Sequence, residues 1–260
     1  MTASETLYRG ATPRHAWAWW LAASQLLVVA LWWRWGWQAG LPAMLLSHAF
    51  FIGHVFLPRS RLYAPVLSRL PDQGAAVWLT IDDGPSDDTL AMLDLLDAHD
   101  ARATFFLVGE RAARHPALVR EIVRRGHELG NHSHSHPQAW FWALGPRAMA
   151  REIGQAQTTL AQLAGRAPRW YRSVVGMTNP FVAAPLQAHG LQRVAWSARG
   201  FDGVQCDPDT TVARIEADLR PGAIVLLHEG AAHGHNRQIL QRVLQALQAR
   251  GLRATLPDAP

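Results

Sequence analysis

The stretch Val77-Trp78-Leu79-Thr80-Ile81-Asp82-Asp83-Gly84-Pro85 constrains the chain more than any other. An apolar run ends on two adjacent carboxylates, and Gly-Pro then breaks the chain. Such a run, bounded by Gly and Pro, reads as a buried strand. A carboxylate at the tip of a buried strand is costly unless something compensates its charge, and a metal ion is the simplest partner. Side chains alternate faces along a strand, so Asp82 and Asp83 can do different work, one holding a metal while the other handles a proton. The competing reading is structural: one Asp caps a helix that begins near Ser86, since Asp and Ser are common N-caps.

From residue 75 onward, short strands alternate with helices. Strands are expected at 77–82, 103–108, 128–132, 170–172, 193–197, 223–227 and 252–256. Helices are expected at 87–99, 110–125, 146–164, 180–188, 208–219 and 236–249. Ser86 is the expected N-cap of the first helix, with Asp87 and Asp88 in its first turn, and Asp207 that of the helix at 208. Repeated β-α alternation argues for a parallel sheet. With no Gly-x-Gly-x-x-Gly and no phosphate-loop signature, a nucleotide-binding sheet is disfavoured, and an α/β fold closed into a distorted barrel of about seven β-α units fits better.

Residues 1–57 are of another kind. Ala16 to about Arg34 is almost wholly apolar, with Trp17, Trp19, Trp20, Trp32 and Trp33 at its ends, and Leu41 to Leu57 is a second run weakened by Pro42, His48 and His54. A bilayer-spanning helix needs about 17–25 apolar residues, with Trp favoured at the interfaces. No small-residue cleavage site follows the first run, which argues against a removed signal peptide. The expectation is a hairpin of two helices, 16–34 and 41–57, in or on a bacterial inner membrane. A buried hairpin packed on the following domain is the alternative. Arg9, Arg14, Arg59, Arg61 and Arg69 flank the hairpin while only Arg34 lies inside it, which puts the domain on the cytoplasmic side if both runs span and outside if only the first does. Residues 58–74, with Pro58, Pro65, Pro71 and Gly74, read as a linker to a catalytic domain at 75–260. The formal net charge of +5 is carried by Arg without any Lys, which suggests a GC-rich coding sequence more than a nucleic-acid site, and a basic, Trp-rich chain could also sit on an anionic membrane.

The polar residues fall at strand ends. Asp82 and Asp83, His132, Arg172 and His228 each end an expected strand, and Asp202 follows one, where β/α barrels build their active sites. In Gly130-Asn131-His132-Ser133-His134-Ser135-His136-Pro137, one helical turn would put His132 and His136 on one face and send His134 away. Two His and a carboxylate, Asp83, make a common divalent-metal set that leaves positions open for water and substrate. A surface His-rich loop is the other reading in a chain with 13 His. His228 and Asp202 read singly as a core His and a turn residue, and together as an imidazole-carboxylate pair that would raise the His pKa. Arg172 could hold a carboxylate bidentately. His233 and His235 read as solvated. Cys206, the single cysteine, has no evident activating partner and permits no disulfide within the chain. No Gly-x-Ser-x-Gly elbow and no His-Glu-x-x-His occurs.

Taken together, these motifs resemble the polysaccharide deacetylase family, carbohydrate esterases that share the domain of the nodulation-factor chitooligosaccharide deacetylase. The resemblance covers about residues 75–256. It rests on Thr80-Ile81-Asp82-Asp83-Gly84, Ala103-Thr104-Phe105-Phe106, Gly126 to His132, His132 to His136 and Leu226-Leu227-His228. It implies a distorted (β/α)7 barrel and a divalent metal, usually zinc with Co2+, Ni2+ or Mn2+ as alternatives, on Asp83, His132 and His136. It further implies Asp82 as general base oriented by Arg172, and His228 as general acid paired with Asp202. The oxyanion and substrate would lie against the backbone near Val175 and Gly176 and against Leu226.

Two segments depart from the family pattern. Its Arg-Pro-Pro-Tyr-Gly is here Arg172-Ser173-Val174-Val175-Gly176, and its Asp-Trp is Asp202-Gly203. Both changes remove rigid or aromatic groups that line the sugar groove. The expected activity is therefore metal-dependent removal of an N-acyl group (acetyl or formyl), or an O-acetyl group, from a small or lipid-linked sugar rather than a long chitin-like or peptidoglycan chain. A hydrolase of a non-sugar amide and a catalytically dead, membrane-held carbohydrate-binding module are the alternatives.

Overall fold

A computed structural model describes residues 16–71, 74–204 and 207–257. Arg9, Arg14 and Cys206 lie outside the described residues. Two apolar helices come first, α1 (Ala16–Trp35) and α2 (Trp37–Val55). The break between them is a single residue, Gly36 at φ 71°, so the second helix starts before the expected Leu41. A left-handed residue that reverses one helix into the next is where Gly costs least. Of the two, only α1 is long and apolar enough to cross a membrane. The helices approach closely: a Cβ added at Gly40 would fall 2.4 Å from the Trp32 ring. Ser47 joins Ser24 and Gln25 across the facing sides by hydrogen bonds of 2.9 Å.

The rest is an α/β barrel. Its elements are β1 (Ala76–Gly84), α3 (Thr89–Ala98), β2 (Ala103–Leu107), α4 (Gly109–Arg114), α5 (Pro116–Arg124), β3 (Glu128–Asn131), α6 (Pro146–Ala164), β4 (Trp170–Tyr171), α7 (Ala183–Ala188), β5 (Gln192–Arg193), β6 (Ala198–Arg199), α8 (Pro208–Asp218), β7 (Ile224–His228), α9 (Asn236–Ala249) and β8 (Arg253–Ala254). The sheet is curled and parallel, ordered β5-β4-β3-β2-β1-β7-β6, with β8 beside the start of β1. Of the segment 58–74 expected as a linker, residues 58–71 fill the side where β5 and β6 leave the sheet open. Leu67 N–H donates to the Arg193 carbonyl at 2.9 Å, Ala195 N–H donates to the Leu67 carbonyl at 2.7 Å, and Tyr63, Ala64, Val66, Leu67 and Leu70 are buried.

Strand β1 carries the logic of the barrel. Val77, Leu79 and Ile81 face the surrounding helices, packed with Met92, Leu96, Ile215 and Val243. The alternate set faces inward: Trp78 packs with Phe106, Trp170 and Ile224, and its indole N–H donates to Thr104 Oγ1 at 2.9 Å. Burying a large apolar side chain of either set contributes about 1.5–3 kcal/mol. Thr80 and Asp82 continue the inward face toward the C-terminal end, so the strand period itself aims Asp82 into the barrel mouth.

Several expected elements change. The helix at 110–125 is two helices, because His115-Pro116 interrupts it and Pro removes a backbone donor. The first helix starts at Thr89 with Asp88, not Ser86, at the cap position. The Ser86 hydroxyl instead accepts from Asp88 N–H at 3.2 Å. The strand at 193–197 is split into β5 and β6, since the chain here leaves β4 and crosses the seam to β7. The cap at Asp207 forms as expected, its side chain accepting from Thr210 N–H at 2.8 Å.

Candidate active site

Asp82 and Asp83 part ways where β1 ends. Asp82 is 3% exposed and points inward. Its Oδ1 accepts from Arg172 Nη1 at 2.7 Å. The same nitrogen donates to Thr80 Oγ1 at 2.7 Å, and Nη2 donates to the Ala195 carbonyl at 3.0 Å. Arg172 therefore holds Asp82 by one bond, not the expected two, and spends its other donors on barrel walls. Its guanidinium lies 4.3 Å from the Phe106 ring centroid. This leaves Asp82 Oδ2 free to meet a proton.

Asp83 leaves the strand at φ 72°, where the register of β1 against β2 also shifts. That turn carries its carboxylate to the histidines. Asp83 Oδ1 lies 3.1 Å from His136 Nε2 and 3.4 Å from His132 Nε2. The histidines do not converge by a helical turn. Residues 132–136 form an irregular loop with Ser133 at φ 66° and His136 at φ 54°. Asn131 Oδ1 accepts from Ser133 N–H at 3.0 Å, and Glu152 accepts from the N–H groups of His134 and Ser135 at 3.0 and 2.9 Å. His134 packs instead against Gly109.

This trio fits a divalent metal. Three ligand atoms gather within 4.8 Å, and Asp83 Oδ1 is buried without a hydrogen-bond donor. Ligands about 2.0–2.1 Å from a tetrahedral ion stand about 3.3 Å apart, which matches the two carboxylate-imidazole separations. His132 Nδ1–H donates to the Arg172 carbonyl at 2.9 Å, which leaves the Nε2 lone pair facing the site. Burial opposes the charge on Asp83, but the two imidazoles outweigh it and hold the carboxyl far below its ordinary range. Burial likewise opposes charging of His132, and Asp82 and Asp83 overcome it, raising its pKa.

Across the mouth, His228 ends β7 and pairs with Asp202. His228 Nδ1–H donates to Asp202 Oδ1 at 3.0 Å, and its backbone N–H donates to Oδ2 at 2.7 Å. Burial pulls the imidazole pKa down, but the Asp202 charge and hydrogen bond prevail and raise it to about 9. His233, expected to be solvated, instead hydrogen-bonds to the Asp202 carbonyl oxygen at 2.8 Å and stacks on His235. Gly203 stands where a Cβ would come within 3.0 Å of the His228 ring, so its lack of a side chain leaves that face open.

Asp82, Asp83, His132, His136, Val175, Gly176, Leu226 and His228 line one cleft of about 110 Å³. That is room for an acyl group and its carbonyl more than for a whole sugar, given typical ligand pockets of about 300–1,000 Å³. Val175 sits at φ 53°, a strained conformation for a β-branched residue, and is half-exposed at the rim. Sequence reading missed Gln138, Trp196, Arg199, Phe201 and Val204, which complete the lining. It also missed Glu229, buried behind the Asp82–Ser86 turn. The Glu229 carboxylate accepts from Ser86 Oγ at 2.8 Å and from the Thr89 hydroxyl. Its place next to His228 at a strand end was the available signal.

A family model described as Polysaccharide deacetylase matches residues 70–194. The chain is 34% identical over 184 residues to a chitooligosaccharide deacetylase of Bradyrhizobium, covering 70% of this chain and 83% of that protein. It is 33% identical over 195 residues to a peptidoglycan-N-acetylglucosamine deacetylase of Bacillus cereus, covering 72% and 69%. A family 4 carbohydrate esterase from Streptomyces lividans, solved in complex with acetate, superposes with a TM-score of 0.65 at 32% identity over 72% of this chain and 94% of that one.

Proposed function

The chain belongs to the polysaccharide deacetylase family, and from that premise we propose that it is a metal-dependent hydrolase that removes an N-acyl group, acetyl or formyl, or an O-acetyl group from a sugar. The observation that carries this reading is the meeting in one cleft of the Asp83-His132-His136 trio, the Arg172-held Asp82 and the Asp202-held His228. Zinc is the metal the donor set suits best, one oxygen and two imidazole nitrogens with a position left open. When bound, it would polarise the acyl carbonyl and make water at the site more acidic.

The protein's own groups do the rest. Asp82 takes a proton from the attacking water, and Arg172 keeps it aimed. The Val175 backbone N–H, at the strained turn on the rim, donates to the oxyanion. His228, already protonated at neutral pH, delivers a proton to the leaving nitrogen or oxygen. Asp202 holds its tautomer and charge.

The substrate we favour is a small or lipid-linked sugar. Gly203 and the 173–176 segment leave the cleft without the walls that would grip a long glycan. The apolar hairpin also roots beside the mouth: Thr178 N–H donates to the Val55 carbonyl at 2.9 Å, and Pro58 lies against Gly176. Exposed Phe56, Leu57, Trp140 and Trp142 continue the hairpin's apolar surface toward the cleft. A bilayer that took up the hairpin would thus lie close to the catalytic groups. The loss of groove walls equally favours one second reading, a hydrolase of a non-sugar amide.

The test uses the full chain in detergent, loaded with zinc, and measures acetate and formate release from N-acetyl and N-formyl sugars, their lipid-linked forms, chitooligomers and non-sugar amides. Release from sugars that disappears in Asp82→Asn supports the proposal. Release from non-sugar amides alone selects the second reading. Silence on every substrate at one metal per chain overturns both.

A further inference from the structure

Each carboxylate of the cleft already has its cation. Asp82 has Arg172 at 2.7 Å, Asp83 faces the two imidazoles, and Asp202 has His228 at 3.0 Å. One cation lining the same cleft is left over. Arg199 ends β6, pairs in register with Leu226 two residues before His228, and has no carboxylate within ion-pair distance among the described residues. Its Nε is buried and donates to nothing. Asp202 attracts it from beyond ion-pair distance, and rings hold it in place: the guanidinium lies 3.8 Å from the Phe201 centroid and 5.1 Å from that of Trp196. Phe201 adopts φ 69° to take that position, a strained backbone in a half-exposed aromatic. Stacking fixes the plane of a guanidinium while leaving its edge donors open, and that edge matches the oxygens of a phosphate or carboxylate.

We propose that Arg199, clamped between Trp196 and Phe201, binds an anionic group, phosphate or carboxylate, carried by the substrate beside the acylated position. This rests on the sugar-deacylase reading and narrows its substrate to acidic sugars. A neutral sugar would leave an unpaired guanidinium at the rim, whereas a sugar phosphate or sugar acid completes the cleft. Two further features agree. The fully buried Arg172 cannot serve, since its donors are already engaged inside the barrel. Arg214, 5.6 Å from the Phe201 ring, adds a second positive charge to the same side of the mouth.

Binding tests this separately from catalysis. The full-length, zinc-loaded chain carrying Asp82→Asn, so that nothing is consumed, is titrated calorimetrically with N-acetylglucosamine, N-acetylglucosamine 1-phosphate and N-acetylmuramic acid. The same titrations are run with Arg199→Gln and Arg199→Lys added. The proposal expects one anionic probe to bind at least about tenfold more tightly than the neutral sugar, the factor a charge-assisted hydrogen bond carries. Which probe wins separates phosphate from carboxylate. Arg199→Gln should abolish the preference, and Arg199→Lys should keep part of it. Equal binding of all three probes overturns the proposal. So does a preference that survives Arg199→Gln, because the anion would then sit on the metal. Failure to release acyl groups from any sugar is read in the separate turnover assay and would overturn the parent reading, and with it the claim that the anion belongs to a substrate, whereas the anion preference of Arg199 is read only in these titrations.

Discussion

Replacing Asp202 with Asn removes the charge that keeps His228 protonated while leaving a group of the same shape beside it. The His228 pKa stands at about 9 against an ordinary value of 6.5, even though burial works against the charge. Without the Asp202 carboxylate, it should fall to its ordinary value or below. At about pH 8 the protonated fraction then drops from about nine-tenths to about 3%, a loss of about thirtyfold in competent acid. At about pH 6 the two proteins differ by less than about twofold. The assay is kcat/KM for acyl release across pH, which reports the free enzyme's acid. The wild type should hold its rate until pH nears 9, and Asp202→Asn should lose rate about 2.5 pH units earlier. The same linkage acts on stability. Because the folded pKa lies above the unfolded one, His228 stabilises the fold fully below about 6.5, and that contribution is lost as pH rises toward about 9. A basic limb that does not move in Asp202→Asn would refute the assignment of His228 as the proton donor set by Asp202.

Other outcomes follow from the same geometry. Arg172→Met leaves Asp82 buried without its cation and should cost about 3–5 kcal/mol, read by denaturant unfolding, with Arg172→Lys recovering part of it. Zinc affinity should fall as pH falls, because the raised pKa of His132 makes protons compete for its Nε2, and a chelator competition series measures this. Val175→Gly should stabilise the fold by about 1 kcal/mol, since a half-exposed Val at φ 53° gives up strain and little packing, and a thermal melt reads the change. Burial raises Glu229 to about 7 against the hydrogen bonds of Thr89 and Ser86, so wild-type stability should fall as pH rises from about 4.5 to about 7. Glu229→Gln should remove that slope, a difference of up to about 3 kcal/mol between the two unfolding curves.

What could be read from the chain, and what could not, divides along a physical line. Local patterns were legible: the apolar run into Asp82-Asp83 made β1, and Asp207 capped its helix. The convergence of His132 and His136 was foreseen for the wrong reason. A helical turn needs only spacing, whereas the loop that forms depends on positive φ at Ser133 and His136 and on the distant Glu152. The split of 193–197 was invisible because it depends on Leu67, more than a hundred residues earlier, filling the seam at Val194. Arg199 and Glu229 were passed over for the same cause: a single charged residue in a short strand gains meaning only from the rings or hydroxyls that the fold brings to it.

The central claim is that acyl hydrolysis requires a metal held by Asp83, His132 and His136. The most direct measurement is acyl release from the best sugar substrate as zinc is titrated into metal-free full-length protein, with bound zinc counted in the same samples. The rate should rise in step with bound zinc and stop at one ion per chain, with no zinc-dependent rate in Asp83→Asn. Full activity in the metal-free protein, or in Asp83→Asn, would contradict it.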